Sequence, residues 1–88
     1  MKFKHLETKT LINSAKVIEG TQIEIQANIH FEILSEIEGH IIPDNHKYLT
    51  LTYFGLVFDS PNDLLNTELI QSKGLAKLKE VYGDANIE

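Results

Sequence analysis

Over residues 22–41, polar and apolar side chains alternate with hardly a slip. Ile23, Ile25, Ala27, Ile29, Phe31, Ile33 and Ile37 hold odd positions, while Glu24, Gln26, Asn28, His30, Glu32, Glu36 and Glu38 hold even ones. A period of two predicts extended chain with one face on a core and the other in water. Leu34-Ser35 inverts the polarity once, which predicts a bulge or bend there. Pro43-Asp44-Asn45-His46 is a turn signal, because proline presets φ and Asp/Asn tolerate turn conformations.

A second extended run follows over 47–58. Leu49, Leu51, Tyr53 and Val57 fall on one of its faces, and Tyr48, Phe54, Leu56 and Phe58 on the other. Its later half is therefore apolar on both sides, the pattern of a strand covered twice. Gly55 within it marks a bulge or a close approach.

Ser60-Pro61-Asn62-Asp63 predicts a helix start, with Ser60 as N-cap, Pro61 at N1 and Asp63 near the positive end of the helix dipole. Leu64, Leu65, Leu69 and Ile70 supply its apolar side. A second short helix is expected from Ser72, with Leu75, Leu78 and Tyr82 on one face and Gly83 closing it. Gly74 argues against one continuous helix over 61–82. Residues 84–88 are expected to fray.

Residues 2–20 support two readings. Leu11, Ile12, Ala15 and Ile18 share a helical face, with Thr8 or Thr10 as cap and Gly20 as stop. Thr8, Thr10, Ile12, Val17 and Ile18 are β-branched and favour a strand, which would turn at Glu19-Gly20-Thr21 into the next one.

Together these elements predict a single α+β domain over 1–88. Its antiparallel sheet has three or four strands built round 22–42 and 47–58, with C-terminal helices on one face. A chain of 88 residues buries only about 60–65% of its unfolded surface, so its margin of stability is thin. The helices can cover one side of the second run and little else is left for the other. Self-association is the economical cover, and a homodimer is expected; a curled N-terminal segment is the alternative.

Charge is unevenly spread along the chain, whose net value is −5. Residues 1–16 hold four lysines against Glu7, whereas 17–46 hold six acids and no lysine. Arginine, the residue best suited to bidentate phosphate and base-edge contacts, is absent, so direct nucleic-acid binding is not expected. The apolar run over 53–58 is far shorter than the roughly 20 residues of a membrane helix. Without cysteine there is neither a disulfide nor a thiolate metal site. With no signal-peptide pattern either, a cytoplasmic protein is expected.

Candidate chemistry is sparse. His40, Asp44 and His46 surround one turn, and His30 with Glu32 lies on the same polar face. Zinc accepts such ligands, but His30 and His40 would stand roughly 33 Å apart on a straight strand. Glu36 and Glu38 could do acid–base work only if one were desolvated. The serines sit in no strained nucleophile elbow and the glycines form no phosphate loop.

The expected function is accordingly a small non-catalytic interaction module, of inhibitor, immunity or phage-accessory type, with no cofactor or metal. Its partner is another protein, a basic one if the acidic face makes the contact. Glu24, Glu32, Glu36 and Glu38 would steer that partner. Tyr53, Phe54, Leu56 and Phe58 would anchor it or a second copy. The alternative is a ligand- or metal-binding protein or enzyme with His30, His40 or His46 at a homodimer seam.

Overall fold

The computed structural model describes residues 2–37 and 40–87, with side chains described over 2–34 and 47–87. Three strands form an antiparallel meander in the order β1-β2-β3: β1 (Lys2–Glu19), β2 (Gln22–Ile37) and β3 (His40–Phe58). A 3-10 turn (Pro61–Leu65), one α-helix, α1 (Thr67–Tyr82), and a second 3-10 turn (Asp84–Asn86) complete the α+β fold. No fourth strand occurs among the described residues.

β2 is the central strand because its alternation is the cleanest in the chain. Ile23, Ile25, Ala27, Ile29 and Phe31 are all buried beneath α1 or beside it, and the intervening residues face the other way. The alternation breaks at Phe31-Glu32, where both residues are buried, as is Leu34. The ladder with β3 slips at the same place. Ile33 pairs with Lys47 but Ser35 pairs with Ile42, so residues 43–46 stand opposite Leu34 alone. The expected irregularity at Leu34-Ser35 is thus present. The expected turn at Pro43–His46 is not a chain reversal: those residues are the long side of a register shift inside β3. β2 ends at Ile37, which pairs with His40, so the strand bounds 22–42 and 47–58 become 22–37 and 40–58.

Residues 2–19 are strand, as their β-branched content favours. Glu19 pairs with Gln22 across a tight turn in which Gly20 takes φ +54°, a left-handed value that suits glycine. The helical spacing of Leu11, Ile12, Ala15 and Ile18 has a different cause. Leu11 pairs with Gln26 and Lys16 with Glu24, so residues 12–15 bulge opposite Ile25. The Ser14 hydroxyl patches this gap, accepting from the Gln26 N–H at 2.9 Å and donating to the Leu11 carbonyl at 2.6 Å.

β3 carries a second bulge. Ile25 pairs with Leu56 but Ala27 with Tyr53, leaving Phe54-Gly55 opposite Gln26. An extra residue swaps which parity faces inward. Leu51 and Tyr53 face α1 before the bulge, and Leu56 and Phe58 face it afterwards. This corrects the expectation of a strand covered on both sides. The two apolar faces are largely one face, read through a change of frame.

The C-terminal region also departs from expectation. Pro61–Leu65 forms only a 3-10 turn, and the Ser60 side chain makes no capping bond. The α-helix starts six residues later, where Asn66 Oδ1 accepts from the Leu69 N–H at 3.1 Å. It then runs through Gly74 to Gly83, the predicted stop, which sits at φ +91°. Ile70, Gly74 and Leu78 form its buried stripe. Gly74 is tolerated because α1 crosses β1 there. A Cβ on Gly74 would lie 2.6 Å from Thr8 Cβ and overlap Thr8 Oγ1. Residues 84–87 do not hang free: Ile87 bridges to Phe3, and Lys2 Nζ donates to the Ala85 carbonyl at 2.8 Å.

Candidate interaction surfaces

α1 covers only part of a long sheet. The molecule measures 51 Å along its longest axis, whereas a sixteen-residue helix reaches about 24 Å. Among the described residues, the face of the sheet turned away from α1 bears no helix, and cross-strand pairing fixes which residues share it. Glu24, Gln26, Asn28, His30 and Glu32 run down the middle. Lys16, Leu11, Lys9, Glu7 and Lys4 flank them on β1, and Val57, Thr52, Thr50 and Tyr48 on β3.

Two polar pairs bridge β2 and β3 on this face. The Thr50 hydroxyl lies 2.9 Å from His30 Nδ1, and the Thr52 hydroxyl donates to Asn28 Oδ1 at 3.1 Å. Such cross-strand pairs fix register while leaving the surface wet.

The charge segregation seen along the chain is offset on this face by lysines of β1, across the ladder at Lys16 and within the strand at Lys9. Lys16 Nζ lies 3.6 Å from Glu24 and Lys9 Nζ 4.0 Å from Glu7, and Lys4 stands opposite Glu32. Among the described side chains of this face, three lysines meet three glutamates. Glu24 therefore has a local counter-charge, and Glu32 is mostly buried. Glu38 lies outside the described residues, and so does the side chain of Glu36.

The four apolar candidates separate into two groups. Leu56 and Phe58 belong to the core with Ile25, Ala27 and Ile70, and Phe58 is fully buried. Tyr53 is half-buried, with Lys77 Nζ 4.2 Å from its ring centroid. Phe54, thrown outward by the bulge, is 69% exposed. Tyr48 and, on β1, Ile12, Val17 and Ile18 are exposed as well. The sequence signal for the split is Gly55, which marks the frame change but not its direction.

The histidines do not converge among the described residues. His30 is engaged with Thr50 on the open face. His5, on β1, is half-buried with Nε2 2.8 Å from Thr8 Oγ1, and burial lowers its pKa from 6.5. The side chains of His40, Asp44 and His46 lie outside the described residues. No group of three metal-ligating side chains occurs among the described residues.

A groove of about 360 Å³ runs between α1 and the outer edge of β3. Tyr53, Gly55 and Leu56 line its strand side, and Lys73, Ala76 and Lys77 its helix side. Lys77 Nζ donates to Glu80 Oε2 at 2.8 Å, and that bond, followed by the contact with Tyr53, raises its pKa above the ordinary lysine value. Lys73 Nζ sits 5.2 Å from the Phe58 ring centroid.

No helix among the described residues is long and apolar enough to cross a membrane. No protein-family model, curated protein or solved structure matches the chain.

Proposed function

We propose that this chain is a small non-catalytic protein-interaction module, of inhibitor, immunity or phage-accessory type, that works by occupying a surface on another protein. The observation that supports it is Phe54, a large aromatic side chain held 69% exposed by a backbone bulge on a sheet face that bears no helix. A bulge re-aims a side chain at a defined cost in ladder hydrogen bonds, and exposed aromatics are the residues that dominate binding energy when a partner covers them.

In this reading Phe54 is the anchor, with Val57 three residues on and Tyr48 farther along the same strand. Tyr53 contributes from the groove side, while Leu56 and Phe58 act indirectly by holding the strand to the core. Glu24, Glu36 and Glu38 give the partner its orientation, while Glu32, which is mostly buried, acts only indirectly. With Lys4, Lys9 and Lys16 alongside, the described face presents an alternating pattern of charge, which favours register over long-range attraction. Two copies associate through the exposed apolar residues, and the protein acts in the cytoplasm.

A photo-crosslinking phenylalanine analogue placed at position 54 tests the reading, with the same analogue at Val81, on the outer side of α1, as control. A covalent adduct to a protein from position 54 and none from position 81 supports it. No adduct from position 54, in purified protein or in cells, would refute it.

A further inference from the structure

We propose that the groove between α1 and the free edge of β3 binds an extended, acidic segment of a partner protein, added to the sheet as a short fourth strand. The site lies at the helix-bearing side of the sheet and is separate from the open face on which Phe54 stands.

The two edges of the sheet are treated differently by the chain. At β1, Gln71 of α1 takes up both outward backbone groups of Thr8: its Oε1 accepts from the Thr8 N–H at 2.7 Å and its Nε2 donates to the Thr8 carbonyl at 2.8 Å. At β3, among the described residues, nothing from α1 hydrogen-bonds to the backbone of residues 53–57, and no strand pairs with its outer side. An uncovered edge beside a helix is the geometry in which extended peptides add to a sheet, main-chain bonds giving affinity and flanking side chains giving selection.

The flanking side chains here select carboxylates. Lys77 lies beside Tyr53 and Lys73 beside Phe58, so α1 runs along β3 in the opposite sense. Lys77 is already bonded to Glu80, so Lys73 is the ammonium that a carboxylate on the incoming strand would meet, and alternate side chains of that strand, spaced about 6.6–6.8 Å, would face the helix wall. Glu80 is the single acid on the groove wall, against two lysines, in a chain whose net charge is −5. The Phe54-Gly55 bulge bends the edge and keeps the added strand short, which also limits indiscriminate edge pairing.

The test is an NMR titration of the ¹⁵N-labelled full chain with an end-blocked Val-Glu-Val-Glu-Val peptide. Its Val-Lys-Val-Lys-Val counterpart and a Glu peptide N-methylated at alternate amides serve as comparisons. We expect saturable amide shifts over residues 53–57 and 73–80, and at least tenfold weaker binding of both comparison peptides. Lys73→Gln and Lys73→Glu should weaken the Glu peptide stepwise while leaving the circular dichroism spectrum unchanged. Thr50→Val, on the open face and outside residues 53–57, should leave its affinity within twofold, so the groove and the open face are tested independently. Absence of saturable shifts at millimolar peptide, equal binding of the lysine counterpart, or shifts confined to Asn28, Thr50 and Thr52 would each overturn the proposal.

Discussion

Gly74 and Thr8 are in such close contact that the helix backbone rests directly on the side chain of the strand residue. Thr8 is 3% exposed, and its polar groups are accounted for: His5 faces its hydroxyl, and Gln71 pairs with its backbone on both sides. This contact seats α1 on β1 and sets how far the helix stands from β3.

Gly74→Ala should therefore destabilise the protein although alanine is the better helix former. The propensity gain is about 1 kcal/mol, while overpacking costs about 1–3 kcal/mol and the Thr8 overlap lies toward the upper end. Urea denaturation should show a net loss. Thr8→Ala should recover part of it, giving a coupling above about 1 kcal/mol in a double-mutant cycle. A neutral or stabilising Gly74→Ala would mean that the helix does not press on β1.

Gln71→Leu leaves the outward N–H and carbonyl of Thr8 without their partners in a buried setting. The expected loss is about 1–3 kcal/mol, with hydrogen-exchange protection lost at the Thr8 amide first. Gln71→Glu keeps an acceptor for the N–H but no donor for the carbonyl, and should fall between the two.

Burial lowers the pKa of His5 in the folded state below its ordinary 6.5. The unfolded chain therefore binds the proton more readily. The corresponding stability is complete above about pH 6.5 and is lost as pH falls through the lower, folded-state value. Melting curves at pH 8, 6.5 and 5 should show a decline that is smaller in His5→Gln. An identical decline in the variant would assign the acid sensitivity elsewhere.

Phe54 and Phe58 differ by four positions and should respond unequally to truncation. Phe58→Ala removes a fully buried ring and should cost about 3–5 kcal/mol. Phe54→Ser should change stability by no more than about 0.5 kcal/mol. Equal effects on the denaturation midpoint would mean that the bulge does not divide the two residues between core and surface.

That division explains how much of the fold could be read in the sequence. The alternation from Ile23 to Phe31, the turn at Gly20 and the stop at Gly83 are local signals, and each is present in the structure. The misread features depend on pairing between distant segments. Four residues opposite Ile25 imitate a helical spacing in β1, and the bulge at Phe54-Gly55 makes one apolar face look like two. Pro43–His46 carries turn chemistry yet serves a register shift, because β3 already pairs with β2 from His40 onward. Asn66 was masked by the stronger-looking Ser60-Pro61. The acidic alternation is legible in β2 alone; that Lys16 lies beside Glu24 and Lys4 stands opposite Glu32 follows from the β1–β2 register, which no single segment encodes. The groove could not be anticipated either, since it arises from where Gly74 lets α1 sit.

The measurement that bears most directly on an interaction module anchored at Phe54 is solution mass by light scattering, at low and high salt, for the native chain and Phe54→Ser. The account predicts about twice 10.0 kDa for the native chain, persisting in high salt because the contact is apolar, and a monomer for the variant. A native chain that stays monomeric throughout, or a dimer indifferent to Phe54→Ser, would contradict it.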